Sequence, residues 1–324
     1  MLPISLHDIQ QARACLETVA VRTPILPYGG TVRRNNSLWL KAESLQRTGS
    51  FKFRGAYNAI SGLPEEERRR GVITYSSGNH GQAVACAAHL LGIRAVVVMP
   101  EDAIAVKVEL TRRWGATIEF AGLTSLDRQA RALALVEEHG YAVIPPFDDR
   151  RIIAGQGTAG LEILEQQPDV EAVVVPVGGG GLISGISSAI KALRPDVRVI
   201  GVEPEGGADA KASLETGTLV TLGHVETIAD GLRTSRIGDL NFATIRQCVD
   251  EIVAVPDEEI LQTVGALANE ARLVVEPSGA VATAAVLFDR TGLSGQTVVA
   301  VISGGNVDPA RLRACLSEPA LALT

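Results

Sequence analysis

The stretch Ala172-Val173-Val174-Val175-Pro176-Val177-Gly178-Gly179-Gly180-Gly181-Leu182-Ile183 decides the fold. A valine run with no polar alternation reads as a strand buried on both faces, as in a parallel sheet covered by helices. Four glycines at its carboxyl end let backbone N–H groups converge where the next helix starts. Such a cradle suits an anion, most naturally phosphate. A tight turn with close helix packing is the plainer alternative. A nucleotide P-loop is excluded, because Leu182-Ile183 stand where Lys-Ser/Thr is required. A dinucleotide fingerprint needs a further glycine at Ile183 or Ser184. In its favour it has only Glu203, about twenty residues on, as a mimic of the ribose-binding acid.

Outward from this stretch the same alternation recurs. Toward the N-terminus, 72–75, 95–99, 116–120 and 142–144 read as strands. Helices separate them, from about Gly81 to Leu91, up to Trp114 with Gly115 as its stop, and over 125–139. After residue 150 a second series follows: a helix over 157–166, the deciding strand, another helix, a strand over 197–202 and a last apolar strand over 297–302. Two series predict two α/β lobes, each with an open, twisted, mainly parallel sheet flanked by helices. Ligands are then expected at the carboxyl ends of the strands. The run Glu65-Glu66-Glu67-Arg68-Arg69-Arg70 reads as a solvated helix face or a hinge.

Composition narrows the function classes. With 46% hydrophobic and 21% charged residues the 324-residue chain is globular. Its 33 glycines and 4% aromatics suit the close helix–strand packing of α/β proteins. A net charge of −7, without a basic patch carrying interleaved aromatics, argues against nucleic acid as a partner. Cys15, Cys86, Cys248 and Cys315 form no CxxC pair, which argues against zinc or a disulfide framework and fits a reducing cytosol. The N-terminus lacks a signal pattern, and no apolar run approaches the roughly 18–20 residues that span a bilayer. A cytoplasmic protein with no membrane partner is the expectation.

Two further polar turns follow strands. Ser76-Ser77-Gly78-Asn79-His80-Gly81 offers hydroxyls, amides and a helix N-terminus to a carboxylate; an N-cap with a satisfied histidine explains it equally well. Ser303-Gly304-Gly305-Asn306 follows the last buried strand, and three such loops point to one shared cleft. Lys52 sits in Ser50-Phe51-Lys52-Phe53-Arg54-Gly55-Ala56. An amine flanked by two phenylalanines is open to desolvation, which lowers its pKa and makes it a nucleophile and base. A snorkelling lysine is the alternative.

Together, SFKFRGA around Lys52, SSGNHGQA (76–83), IAGQGT (153–158), GGGG from Gly178, IADG (228–231) and SGGN from Ser303 resemble the fold-type II pyridoxal phosphate (PLP) enzymes. Within them the chain resembles the serine/threonine dehydratase and serine racemase group over nearly its whole length. The resemblance implies PLP in a cleft between a large domain, 1–64 and 149–324, and a small mobile domain, 65–148, without a C-terminal regulatory domain. Lys52 would then carry the cofactor as a Schiff base and act as general base, with Phe51 beside the ring. Gly178, Gly179, Gly180, Gly181 and Leu182 would hold the phosphate, Asn79 the phenolic oxygen and Ser303 the pyridine nitrogen. Ser76, Ser77, Gly78, Asn79 and His80 would embrace the substrate carboxylate, with Arg128 approaching on closure, and Ser77 is also the second acid–base group of racemases.

Glu203, the Gly207 carbonyl and Asp209 match a divalent-cation site of the family, for which oxygen-only ligands suit Mg²⁺ or Ca²⁺; a solvated acidic loop is the other reading. The implied reaction is elimination of water and ammonia from L-threonine or L-serine, in a homodimer with a catabolic role. Phe147, where racemases place a polar residue, favours a dehydratase. Serine racemase and 3-hydroxyaspartate ammonia-lyase are the alternatives within the group, and a non-catalytic PLP carrier is the alternative outside it.

Overall fold

The computed structural model describes residues 3–76, 78–103 and 105–316. Its ten strands are β1 (Ile25–Pro27), β2 (Ser37–Ala42), β3 (Val72–Thr74), β4 (Ala95–Met99), β5 (Thr117–Phe120), β6 (Ala142–Val143), β7 (Ala172–Pro176), β8 (Arg198–Pro204), β9 (Glu251–Val255) and β10 (Thr297–Ile302). They form a six-stranded sheet in the order β1-β2-β10-β7-β8-β9 and a four-stranded sheet in the order β5-β4-β3-β6. Every pairing is parallel except β1 with β2. The expected fold class, two mainly parallel sheets flanked by helices, is what the chain adopts.

The valine run is apolar throughout because it serves two cores. Ala172 and Val174 face one core with Ala280 and Val281 of the helix Pro277–Leu287. Val173 and Val175 face the other, with Ile183 and Ile186 of the helix Gly181–Leu193. Each buried valine or isoleucine among them contributes about 1.5–3 kcal/mol of transfer free energy. A third core lies against the smaller sheet. There Phe53, Ala56, Ala59 and Ile60 of the helix Lys52–Ser61 pack with Val72, Val97 and the helix Asn79–Leu90.

Most predicted elements stand where expected, within a residue or two. The helix predicted over 157–166 is the exception: it runs Arg150–Gln166, starting seven residues earlier. Asp149 caps it by accepting from the N–H groups of Arg151 and Ile152. Gly155 and Gly157 imitate a loop in the sequence, yet both lie inside this helix because backbones touch there. A Cβ on Gly155 would fall 2.7 Å from Gly55 Cα, and one on Gly157 2.9 Å from the Gly185 carbonyl oxygen. The three helices Lys52–Ser61, Arg150–Gln166 and Gly181–Leu193 therefore pack main chain to main chain. Glu65–Arg70 is a short exposed helix with Arg69–Glu65 and Arg70–Glu66 ion pairs. Among the described residues, no helix is long and apolar enough to cross a membrane.

Candidate active site

Two of the three polar loops meet directly, Asn306 Nδ2 donating to Asn79 Oδ1 at 2.8 Å, and the glycine loop reaches them through Gly231 and Ser278. The segment 49–51 pairs with 303–305: Phe51 N donates to the Ser303 carbonyl at 3.1 Å, Gly305 N donates to the Gly49 carbonyl at 2.9 Å, and Ser50 bridges Gly304. This pairing sets Lys52, first residue of its helix, beside the loop that follows β10. Lys52 Nζ donates to the Pro146 carbonyl at 2.8 Å and lies 5.2 Å from the Phe51 ring centroid. Burial pulls its pKa down to about 8, so a substantial neutral fraction exists near physiological pH.

The glycine loop is fitted to its surroundings at every position. A Cβ on Gly179 would fall 2.2 Å from Phe147 Cδ1, and one on Gly178 3.1 Å from Leu232 Cα. Gly180 adopts φ +91°, the left-handed region that favours glycine. The loop is held by its carbonyl side: the Gly179 oxygen accepts from Asn241 Nδ2 at 2.9 Å and from Gly238 N at 3.2 Å. No side chain caps the helix Gly181–Leu193, so its N-terminal dipole is left for an anion. Leu182 is buried behind the loop. Phe147 covers Gly179 and Gly181 from the other side, and Asp148 anchors this segment by accepting from Asp239 N and Leu240 N, both at 3.0 Å.

The helix Asn79–Leu90 also starts without a side-chain cap. Ser76 arches over it, its carbonyl oxygen 2.1 Å from where a Gly81 Cβ would lie. Ser76, Gly78 and Asn79 are partly exposed at this end. The His80 ring is not: Nε2 stands 3.0 Å from the Ile144 carbonyl oxygen, and burial, aided by the nearby Lys52 charge, drives its pKa down to about 3. A neutral ring bonded inward leaves His80 its backbone N–H for an anion. Ser77 lies outside the described residues. Ser303 Oγ donates to the Ser278 carbonyl at 3.3 Å, and Ser278 Oγ accepts from Gly231 N at 2.9 Å, which joins the IADG loop to the site. Arg128 sits on the helix Ser125–His139, where it bonds the Leu123 carbonyl and faces Asp102 and Asp127.

Glu203, at the end of β8, accepts from Ala210 N at 2.9 Å and Lys211 N at 2.8 Å; burial nevertheless pushes its carboxyl up to about 8. Burial likewise raises Asp209 to about 6, with Oδ2 accepting from Ile237 N while buried Oδ1 has no hydrogen-bond partner. Of the four carboxyl oxygens in this pair, only Asp209 Oδ1 is left to a further partner. Among the described residues, no three His, Cys, Asp or Glu side chains converge as a metal set, so the candidate rests on this pair and the backbone of Gly207.

Sequence reasoning missed four contributors. Phe147, noted only as a discriminator between reactions, is the wall of the glycine loop. Asn241 clamps that loop. Glu276 receives a hydrogen bond from Asn79, and Lys107 pairs with Asp230 at 2.6 Å across the cleft. Only the Pro at the first turn of the helix Pro277–Leu287 marks the Glu276 neighbourhood in sequence.

A family model described as pyridoxal-phosphate dependent enzyme matches residues 16–304. The chain belongs to this family. It is 47% identical over 307 residues to an L-threonine ammonia-lyase of Thermotoga maritima, covering 94% of this chain and 76% of that one. It is 42% identical over 315 residues to an L-threo-3-hydroxyaspartate ammonia-lyase of Saccharomyces cerevisiae, covering 96% and 95%. The solved structure of maize serine racemase superposes with a TM-score of 0.91 at 37% identity, covering 96% of each chain. The residues fit the cofactor this family takes: a buried amine of lowered pKa, an uncapped glycine-lined helix start, and the hydroxyl of Ser303 and amide of Asn79.

Proposed function

We propose that this PLP-dependent enzyme is an ammonia-lyase that deaminates L-threonine and L-serine: the β-hydroxyl leaves as water, and the resulting enamine, as its imine tautomer, takes up water to give the 2-oxo acid and ammonia. The observation that carries the reading is Lys52: a buried amine at about 8, oriented by the Pro146 carbonyl, in the cleft that the glycine loop shares. Lys52 would hold the cofactor covalently, Phe51 would lie beside the ring, Gly178–Leu182 would take the phosphate, Asn79 the phenolic oxygen and Ser303 the pyridine nitrogen. When bound, the cofactor supplies an electron sink for breaking bonds at the substrate Cα.

Lys52 Nζ, neutral in part, would take the Cα proton. Ser303 presents a neutral hydroxyl, which does not keep the pyridine nitrogen protonated. A hydroxyl at that place would leave the bound cofactor a weaker electron sink than a carboxylate would, which supports elimination. Ser76, Ser77, Gly78, Asn79 and the His80 N–H orient the carboxylate at the uncapped helix start. Arg128 joins them when residues 65–148 close as a unit, with the helix Lys52–Ser61 as the shared support. Phe147 makes the wall apolar and supports elimination over racemisation. Racemisation of serine, for which Ser77 would be the second acid–base group, and elimination from 3-hydroxyaspartate are the second reading, supported by the relatives with those activities. Mg²⁺ or Ca²⁺ on Glu203, Gly207 and Asp209 and a homodimer complete the proposal.

The test is incubation of the purified holoenzyme with L-threonine, L-serine and L-threo-3-hydroxyaspartate, following 2-oxo acid and D-serine together. Abundant 2-oxobutanoate and pyruvate, lost in Lys52→Ala, is the expected result. D-serine as main product, or turnover of hydroxyaspartate alone, moves the assignment to the second reading.

A further inference from the structure

Asn79 ends a directed chain of hydrogen bonds. Asn306 Nδ2 donates to the Thr48 carbonyl at 2.7 Å and to Asn79 Oδ1 at 2.8 Å; Asn79 Nδ2 donates to Glu276 Oε1 at 2.6 Å. The direction is fixed from one end, because a backbone carbonyl only accepts. Asn306 must therefore present its NH₂ group, and Asn79 must turn its oxygen to Asn306 and its nitrogen to Glu276. An amide nitrogen carries two hydrogens, and Glu276 takes one. The other remains for a ligand, from a residue that is partly exposed to the cleft.

Glu276 is almost wholly buried. Its Oε1 stands 2.1 Å from where a Gly304 Cβ would lie, so Gly304 leaves room for this carboxyl, and its own N–H donates to the Gly304 carbonyl at 3.2 Å. The charged groups that face it are Asp230, from the IADG loop, and Lys107, from the helix Ala105–Arg112. Burial and the Asp230 charge raise its pKa to about 7, and the Asn79 bond and Lys107 oppose them. Glu276 precedes the helix Pro277–Leu287, which packs on the larger sheet, and Asn306 follows β10 of that sheet, whereas Asn79 opens the helix after β3 of the smaller sheet. The chain thus crosses from one sheet's side to the other at the cofactor's place.

We propose that Glu276 is a positioning residue that acts through Asn79, holding its second amide hydrogen toward the cofactor's phenolic oxygen. The inference rests on the assignment of Asn79 made above, and not on which amino acid is consumed. Cofactor affinity and the visible absorption of bound PLP are its direct readouts, since a donor at the phenolic oxygen tunes the cofactor's electronics.

The experiment strips and re-adds PLP to the wild type, Glu276→Leu, Glu276→Gln, Asn79→Ala and the Glu276→Leu/Asn79→Ala double variant. It measures PLP affinity, the visible spectrum, turnover and the melting temperature of each. Glu276→Leu should weaken PLP binding about tenfold and alter the visible band as Asn79→Ala does, one buried hydrogen bond being worth about that much. The double variant should be no worse than Asn79→Ala alone. Glu276→Gln, which keeps an acceptor oxygen, should bind within about twofold of the wild type. If Glu276→Leu fails to fold, the Gln variant decides: a loss as large as that of Asn79→Ala overturns the inference. Additive losses in the double variant, or an unchanged band in Glu276→Leu, overturn it equally. A holoenzyme that binds PLP as described yet leaves threonine and serine untouched refutes the substrate assignment and leaves Glu276 in place.

Discussion

Arg54 stands two residues beyond Lys52, and its removal should expose how the lysine's helix is held. The guanidinium is 1% exposed and bonds Glu43 at 2.8 and 2.9 Å and Glu162 at 2.7 and 2.9 Å, while fully buried Lys41 bonds Glu162 at 2.6 Å. Two cations thus balance two carboxylates. Arg54→Ala leaves Lys41 alone against both. Breaking a buried pair in this way costs about 3–5 kcal/mol. With an unfolding entropy of about 0.7 kcal/mol/K for a chain of this size, the melting temperature should fall by about 4–7 °C.

The discriminating assay is thermal unfolding of a cycle with Glu43→Gln. In the wild-type background that change should destabilise, because it strips Arg54 of a partner; in Arg54→Ala it should stabilise, because it removes an uncompensated charge. The pH dependence follows. Burial raises the Glu43 pKa, but Arg54 outweighs it and holds the carboxyl below its ordinary value. In the wild type this stability is present above the ordinary carboxylate range and is lost only in stronger acid. Without Arg54 the burial effect is unopposed from that side, so the variant's deficit should shrink as the pH falls toward 5. The same sign for Glu43→Gln in both backgrounds would refute the reasoning.

Gly179→Ala should lower PLP affinity more than about tenfold, since its Cβ would strike Phe147, and Phe147→Ala should recover part of the loss in an equilibrium titration. Apo wild type should gain stability relative to Lys52→Met as the pH rises from about 8 toward the ordinary lysine value, because the unfolded lysine binds the proton more tightly there. The gain, read by denaturant titration at pH 7.5 and 10, should approach 3 kcal/mol at most, at about 1.4 kcal/mol per pH unit. Millimolar Mg²⁺ or Ca²⁺ should raise the melting temperature of the wild type and leave Asp209→Asn unmoved; equal shifts in both would dismiss the cation site.

The strands and glycine loops were legible because each has a single physical cause. Val173 to Val175 must be apolar to serve two cores, and Gly178 to Gly181 must lack Cβ atoms where Leu232, Phe147 and Asn241 press in. What hid from the sequence were residues whose type suggests one environment and whose partner supplies another. Glu43, Glu162 and Lys41 read as surface charges until Arg54 brings them inside. The helix that holds Gly155 and Gly157 reads as starting only at Gly157, because Gly55 and Gly185, which lie against these glycines, are far away in sequence. Glu276 is one acid among 37 acidic residues, and nothing local tells that Asn79, 197 positions away, donates to it.

The contacts between Gly55 and Gly155 and between Gly157 and Gly185 act as a ruler. Lys52 opens the first helix and Gly181 opens the third, so the distance between them is measured out in peptide backbone. Side chains elsewhere can change without altering how far Lys52 stands from the glycine loop. Specificity in such a scaffold is free to drift while the gauge for the cofactor stays fixed.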